Sequence, residues 1–248
     1  MSYIFSVSPD YNTKFLPGWF ILNNWLQRVL DTSVHFEVFD DFQAQHQAIA
    51  DGRLGMVYVN PYDATTLVRE HGFVPLVRPA RKADEGIIAV PADSPIQSIE
   101  ELQPGCRVAT TDDPNVHMMC MIMLEPADLN ADNVEIHQRR NYVIAAKELL
   151  SGEADVGFFL ADTYNDLSAV IRSKLRILIQ SHIHMVHHLF VVHPSLQAHI
   201  PTLKEGLVGM SNDPKGQGIL RELNIERWEP VQREDVEFMI DLMDALVH

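Results

Sequence analysis

Short apolar runs alternate with amphipathic segments along most of this chain. Residues 3–8 form an apolar run that predicts a strand, and the apolar positions of residues 15–30 recur at helical spacing. Residues 33–39 alternate apolar and polar positions, as a half-buried strand does. A second helical pattern stops at Gly52, and a second apolar run ends at Val59. This order of strand, helix, strand, helix and strand is typical of a parallel sheet covered by helices.

The order of helix, glycine, short apolar strand and polar loop occurs twice. Residues 48–63 place Gly52 between the helix and the strand, and residues 146–164 place Gly152 in the same position. Glycine at that point predicts a helix that ends in the left-handed backbone region. Two such units predict two similar α/β lobes. Each lobe presents a polar loop at the carboxyl end of a strand, which is the edge where open α/β sheets bind ligands.

Two segments without helical periodicity predict connections between the lobes. The charged run 78–86 is the first connection, and residues 181–188 are the second. We therefore predict lobe 1 over residues 1–82 and 188–248 and lobe 2 over residues 83–187. The predicted fold class is α/β with two lobes, each a mainly parallel sheet flanked by helices, joined by two crossing strands. The sequence contains no Pro-rich or low-complexity linker, which favours hinge closure around a ligand in an interlobe cleft.

Helix punctuation continues in the remaining sequence. Ser98, with Glu101 three residues later, is a capping-box pattern that predicts a helix start. A Met-rich helix is expected over residues 117–124. The last predicted helix, residues 233–247, has its apolar residues on one face, as a helix packed against lobe 1 does.

The charge balance restricts the classes of partner. The 248 residues include 19 Lys and Arg against 34 Asp and Glu, a formal net charge of −15. Nucleic acid and anionic membrane both require a basic face, so we expect neither nucleic-acid binding nor membrane insertion. No apolar run approaches the roughly 18 residues that a membrane span requires. Cys106 and Cys120 form neither a disulfide framework nor a CxxC metal motif.

The amino terminus enters the first predicted strand directly. It has no basic region followed by the apolar core of a secretory leader. As written, the sequence predicts a cytoplasmic protein, and a periplasmic one if a leader has been removed. The compartment decides whether the expected partner is a transporter or an intracellular sensor.

Several stretches together, by their order and spacing, resemble the phosphate/phosphonate-type proteins of the type 2 periplasmic solute-binding fold. They are residues 7–10, 52–63, 90–102 followed by 105–109, 149–157 and 213–220. The resemblance implies a bilobed protein that closes on a small ligand and has no catalytic chemistry. It implies a solute-binding protein of an ABC transporter, or an intracellular sensor, for a small polar, anionic ligand.

The loop after the strand at residues 107–111 departs from the family pattern. In the family this loop carries a Ser-Thr-Ser-Gly-like run whose hydroxyls hold the oxyanion together with the next helix N-terminus. Residues 112–118 read Asp-Asp-Pro-Asn-Val-His-Met here, and Tyr142 stands where the family has a histidine. Two carboxylates at the mouth of a helix are expected to repel a phosphonate group, although the helix dipole favours negative charge.

The positions of polar residues relative to the predicted strands and helices identify the candidate ligand contacts. Asn115 and His117 lie at a predicted loop-to-helix start, and His182 and His184 share one face if the second connection is an extended strand. The other candidates follow predicted strands or begin the helices after them, where capping is an equally good explanation. The full set is Tyr11, Asn60, Tyr62, Asn115, His117, Tyr142, Asp162, His182 and His184.

Two alternative functions are compatible with the sequence. The first is a cytosolic enzyme on the same fold, of the menaquinone-pathway or thiamine-pathway type, with cleft histidines as general acid and base. The second is metal or haem binding by a cluster of histidines together with soft methionines. The histidines are His182, His184, His187, His188, His193 and His199, and the methionines are Met118, Met119, Met121, Met123 and Met185. The preferred interpretation assigns no catalytic residue, no metal ligand and no cofactor, and its ligand is a small molecule.

Overall fold

The computed structural model describes residues 3–247, and side chains up to Ala245. Its strands are β1 (Tyr3–Val7), β2 (Val34–Phe36), β3 (Met56–Val59), β4 (Val74–Pro79), β5 (Gly86–Pro91), β6 (Arg107–Thr110), β7 (Glu135–Gln138), β8 (Val156–Leu160), β9 (Leu175–Gln180), β10 (Leu189–Val192) and β11 (Trp228–Pro230). Its helices are α1 (Leu16–Leu30), α2 (Phe42–Ala50), α3 (Pro61–Thr65), α4 (Pro114–Leu124), α5 (Tyr142–Ser151), α6 (Ala161–Asp166), α7 (Ala169–Arg172), α8 (Ile200–Gly209), α9 (Pro214–Glu222) and α10 (Arg233–Val247). None of these helices has the length and apolar composition needed to cross a bilayer.

Unit 1 comprises residues 3–83 and His187–Ala245 and is built on a six-stranded sheet. The strand order is β11-β4-β10-β3-β1-β2. β1 pairs parallel with β2 and with β3, whereas β10 runs antiparallel to β3 and β4. β11 closes the sheet antiparallel to β4.

Unit 2 comprises Asp84–Val186 and is built on a five-stranded sheet of order β7-β6-β8-β5-β9. β6 pairs parallel with β7 and with β8, and β5 runs antiparallel to β8 and β9. The parallel strands of the two units thus follow the same order: the first strand lies between the second and the third. In both units the third parallel strand is followed by one antiparallel neighbour.

The α/β fold class with two sheets is confirmed, and the sheets are mixed rather than mainly parallel. The antiparallel neighbours are β5 and β10, the strands that begin directly after each connection. Leu189 is paired with Val59, and Gly86 is paired with Leu160. An antiparallel strand therefore starts at the same sheet edge where the parallel strands end. The residues just before β5 and β10 reach the candidate binding edges for this reason.

The connections expected as extended strands are irregular. Residues 80–85 and 181–188 have no strand assignment, and His184 has a left-handed φ of 59°. The backbone N–H of Asp84 donates to the Val186 carbonyl at 2.7 Å. Because His184 leaves the extended region, the alternation used to place His182 and His184 on one face does not apply.

Each of the two sheets packs against its own apolar core. The core of unit 2 holds buried residues from Ile87 to Leu175, none of them from unit 1. Unit 1 has two clusters, one on each side of its sheet. The α1 residues Trp19, Leu22 and Leu26 belong to the first, and α10 residues belong to the second. Most of the periodic apolar positions in these helices are buried, whereas Phe20 of α1 and Phe238 of α10 are 50% and 54% exposed.

The glycines that end two helices lie where the sequence pattern predicted them. The capping box predicted at Ser98 does not form. Gly52 and Gly152 follow α2 and α5 with φ of 65° and 76°. At Ser98 a 3₁₀ turn, Ile99–Glu101, replaces the expected helix, and the Ser98 side chain makes no capping bond. Glu101 instead accepts a hydrogen bond from the Gln97 backbone N–H at 2.9 Å. Ser98 and Glu101 have the residue types and spacing of a capping box, but only a single 3₁₀ turn follows Ser98 before Pro104.

Candidate functional site

The loop after β6 is organised by a buried carboxylate. Asp113 is the N-cap of α4, and its Oδ1 accepts the backbone N–H groups of Asn115 and Val116 at 3.0 and 3.2 Å. Its Oδ2 accepts the Tyr142 hydroxyl at 2.9 Å. Only 1% of Asp113 is exposed, whereas Asp112 is exposed. The two acidic residues of this loop therefore differ in environment.

Tyr142 is positioned by the start of α5. Asn141 caps that helix, and its side chain accepts the Ile144 N–H. Tyr142, the first helical residue, is buried, and its ring lies 5.9 Å from that of Phe159. The tyrosine thus links the loop after β6 to the core of unit 2. Its binding role stays a prediction, since its hydroxyl already donates to Asp113.

Asn115 is a buried amide without hydrogen-bond partners. It lies in the first turn of α4, is 1% exposed, and both Oδ1 and Nδ2 lack a partner among the described residues. The hydroxyl of Thr110, the last residue of β6, also lacks one. Buried polar groups are nearly always hydrogen-bonded, and exceptions often mark a place for a ligand or ordered water. These unpartnered groups lie at the carboxyl edge of the unit 2 sheet.

His117 follows in the same helix turn and is half-buried. Burial lowers the pKa of its imidazole because desolvation disfavours the charged form. A neutral imidazole near pH 7 has one donor and one acceptor nitrogen. His117 therefore suits a hydrogen bond to a polar group better than an ion pair.

The second connection is held by Glu85. This buried carboxylate accepts the backbone N–H groups of Ile183 and His184 at 3.0 and 2.8 Å and the Ser181 hydroxyl. His184 Nδ1 lies 3.6 Å from Glu85 Oε1. The rings of His182 and His184 are 5.8 Å apart, and both side chains are exposed. The structure thus brings the two predicted histidines together at the carboxyl end of β9.

Asp162 lies in the first turn of α6, directly after β8. It is exposed, so it is at the predicted edge but outside the buried group around Asp113. The sequence did not predict α6, because its six residues show no amphipathic period.

The corresponding edge of unit 1 contains a network around Asn60. Its side-chain oxygen accepts the Asp63 N–H at 2.8 Å, its Nδ2 donates to Asp63 Oδ2 at 3.1 Å, and its backbone N–H donates to the Ser8 hydroxyl at 2.9 Å. His46 Nε2 lies 2.6 Å from Asp63 Oδ1. Asn60 is fully buried as the N-cap of α3. Its observed contacts are those of a helix cap that ties β1 to β3.

Sequence reasoning did not select the pair formed by Asp10 and His188. His188 Nε2 lies 3.0 Å from Asp10 Oδ2, without the alignment of a hydrogen bond, and both side chains are at most 10% exposed. The His188 ring stacks on Tyr58 with centroids 4.9 Å apart. The missing signal was the antiparallel direction of β10, which brings its preceding residue to the edge where β1 and β3 end.

The two predicted tyrosines of unit 1 flank this network in sequence. Tyr11 is half-buried after β1, where burial, and then the charge of Asp40, raise the pKa of its hydroxyl. Tyr62 lies in α3 and is 38% exposed. Both lie at the carboxyl edge, and their binding roles stay predictions.

Four of the five methionines proposed as soft ligands are buried or pack against the unit 2 core. Met118 and Met119 are buried, and Met121 and Met123 pack against the same cluster. Within residues 3–247, no three His, Cys, Asp or Glu side chains are arranged to hold a metal ion. Met185 is 47% exposed in the second connection.

Comparison with known families decides the class of protein. Residues 5–236 match the family described as "ABC transporter, phosphonate, periplasmic substrate-binding protein". The chain belongs to this family. At the level of sequence alone, no curated protein is similar enough to this chain to count as a match.

Solved structures share the fold of this chain. PhnD1 from Prochlorococcus marinus, in complex with methylphosphonate, has a TM-score of 0.84 at 13% identity, with 99% of this chain and 98% of that chain covered. A binding protein component of an ABC phosphonate transporter from Pseudomonas aeruginosa has a TM-score of 0.80 at 12% identity, with 99% and 86% covered. The alkanesulfonate-binding protein SsuA from Xanthomonas axonopodis pv. citri, bound to MOPS, has a TM-score of 0.68 at 14% identity, with 99% and 93% covered. The type 2 solute-binding fold expected from the resemblance is thereby confirmed.

Proposed function

We propose that this chain is a non-catalytic receptor for a small, polar, anionic solute. Its family is one of substrate-binding proteins, and similar folds are recorded with methylphosphonate and with MOPS. The observation that carries the proposal within this chain is Asn115, a buried amide with two unpartnered polar atoms at the carboxyl edge of β6. Leaving such a group without a partner costs about 1–3 kcal/mol, which a ligand recovers by hydrogen bonding to it.

We propose roles for the predicted residues by environment. In unit 2, Asn115 and His117 are the principal polar contacts, and His182, His184 and Asp162 are exposed contacts at the same edge. Tyr142 acts through Asp113, which it hydrogen-bonds. In unit 1, Tyr11 and Tyr62 are the proposed contacts, and Asn60 positions the loop that carries Tyr62.

A ligand screen with a matched variant tests this function. Thermal shift with phosphate, methylphosphonate, alkanesulfonates, carboxylates and amino acids is expected to raise the melting temperature for at least one compound, since a ligand that binds only the folded state stabilises it by mass action. Isothermal titration of that compound against Asn115→Leu is expected to show at least a tenfold weaker Kd. Equal affinity of the wild type and the variant overturns the assignment of Asn115. Conversion of the bound compound overturns the non-catalytic function.

We propose the membrane permease of an ABC transporter as the partner and the periplasm as the compartment, because the description of the family names an ABC transporter and a periplasmic protein. Fractionation of the native cells tests the compartment. Recovery of the protein only in the cytoplasmic fraction favours the intracellular sensor instead.

A further inference from the structure

The acidic loop between β6 and α4 carries an inference about the ligand, which rests on the proposed function. We propose that the Asp113 carboxylate itself occupies the anion-binding position at the α4 N-terminus. The part of the ligand that Asn115 contacts is then an uncharged hydrogen-bonding group, such as a hydroxyl or an amide, and not an oxyanion.

The N–H groups that ordinarily bind an oxyanion at a helix start are already used. The first helical residue is Pro114, which has no N–H. The next two, Asn115 and Val116, donate to Asp113 Oδ1, and His117 N–H donates to the Asp113 carbonyl at 3.0 Å. The α4 N-terminus therefore offers no backbone donor to a ligand, although a helix of its length has the dipole to attract an anion.

Charge adds to this geometry. The Asp113 carboxylate is almost fully buried and accepts a third hydrogen bond from Tyr142. A second anion placed beside it meets a like charge in a site where water screens poorly. Each 1.4 kcal/mol of such repulsion weakens binding tenfold. An anionic group of the ligand must therefore be held away from this loop.

The two unpartnered side-chain atoms of Asn115 indicate which kind of ligand group would bind there. Nδ2 is a donor and Oδ1 is an acceptor, and neither has a partner among the described residues. A deprotonated oxyanion accepts only, so it pairs with Nδ2 and leaves Oδ1 unsatisfied. A hydroxyl or an amide both donates and accepts, and satisfies both atoms. The Thr110 hydroxyl, also unpartnered, suits the same kind of group.

A charge-removing variant tests the inference. Asp113→Asn retains a side-chain oxygen for the α4 cap, and Asn is as good an N-cap as Asp. Isothermal titration with methylphosphonate is expected to give a Kd at least tenfold lower for Asp113→Asn than for the wild type. Asp112→Asn changes the net charge equally at the exposed neighbour and is expected to alter the Kd by less than about threefold. Asp113→Ser serves as the second variant if Asp113→Asn unfolds.

The contrary results are distinct from failure of the proposed function. Tight methylphosphonate binding by the wild type, with equal or weaker binding by Asp113→Asn, overturns the inference and leaves the receptor function standing. Equal gains in Asp112→Asn and Asp113→Asn also overturn it, because net charge then explains the effect. Absence of methylphosphonate binding in all variants overturns it too, whereas the receptor function fails only if the whole screen is negative.

Discussion

At the residue scale, the binding properties of the candidate edge of unit 2 depend on which of its polar groups already have hydrogen-bond partners. The sequence showed two adjacent carboxylates at a helix mouth, and the structure separates an exposed Asp112 from a buried Asp113. The cap was predictable, because Asp before Pro at a helix start is a local pattern. The bond from Tyr142 was not, since it joins residues 29 positions apart that meet only through sheet packing.

Asn115→Leu is expected to raise the free energy of unfolding of the ligand-free protein by about 1 kcal/mol, because it removes an unsatisfied buried amide. Asn23→Leu is the matched control. The Oδ1 of Asn23 is also buried without a partner, but its Nδ2 donates to the Val34 carbonyl at 3.1 Å, so the loss of Asn23 is expected to cost about 1–3 kcal/mol. Urea unfolding measures both. Destabilisation by Asn115→Leu equal to that by Asn23→Leu contradicts the assignment of an unpartnered amide.

A second prediction at this scale concerns pH. Hydrogen bonds to Glu135 and then Glu148 raise the pKa of His137 against the opposing effect of burial. Its Nδ1 lies 2.7 Å from Glu148 Oε1. A raised pKa means that the folded state holds the proton more tightly. The stabilisation is therefore complete below the unfolded-state pKa and is lost as pH rises through the folded-state pKa.

His137→Gln is expected to remove this pH-dependent part, on the order of 1 kcal/mol or less for a partly exposed pair. Urea unfolding between about pH 5.5 and 8.5 measures it, in the range where histidine titrates. His35→Gln, an exposed histidine in β2, is the control. An unchanged slope in His137→Gln contradicts the assignment.

At the element scale, long periodic segments were predictable and short ones were not. α1 and α10 follow their apolar stripes, and the strands follow the short apolar runs. α6, α7 and β11 have too few residues to show a period, so the sequence did not predict them. The connection at residues 181–188 was expected to be extended. Its path depends instead on Glu85, almost a hundred residues earlier, which no local pattern reveals.

Replacing either of two glycines by alanine is expected to change the stability of the protein, in opposite directions. A Cβ at Gly18 in α1 would lie 2.7 Å from the Glu222 carbonyl oxygen of α9, so Gly18→Ala is expected to cost about 1–3 kcal/mol by overpacking. A Cβ at Gly209 meets nothing within 4 Å, and its backbone is right-handed. Gly209→Ala is expected to stabilise by about 0.4–1 kcal/mol. Thermal unfolding of both variants measures the difference, and stabilisation by Gly18→Ala contradicts the close approach of α1 and α9.

At the scale of the whole molecule, the chain consists of two units with the same order of parallel strands. That order follows from apolar periodicity and connection lengths, which tolerate extensive substitution. The fold was therefore predictable, although the solved structures that share it are only 12–14% identical in sequence. The ligand was not, because it depends on a few side chains such as Asn115 and Asp113. We propose that the predicted lobes, residues 1–82 with 188–248 and residues 83–187, are the cooperative folding units. Residues 1, 2 and 248 lie outside the described part.

The continuous unit 2 offers a direct test of this proposal. Its core cluster contains only its own residues, from Ile87 to Leu175. A chain of residues 84–186 is therefore expected to fold alone and to unfold in one cooperative transition. Circular dichroism during urea unfolding measures this. A gradual, non-cooperative loss of signal contradicts the independence of the unit.

Native mass spectrometry of the purified protein tests the receptor function most directly, compared with Asn115→Leu prepared in parallel. We predict a noncovalent complex with one small polar molecule in the wild type, loss of that complex in the variant, and an unchanged mass of the molecule after prolonged incubation with the protein. A complex of equal abundance in the variant, or a molecule that is converted during incubation, would contradict the account.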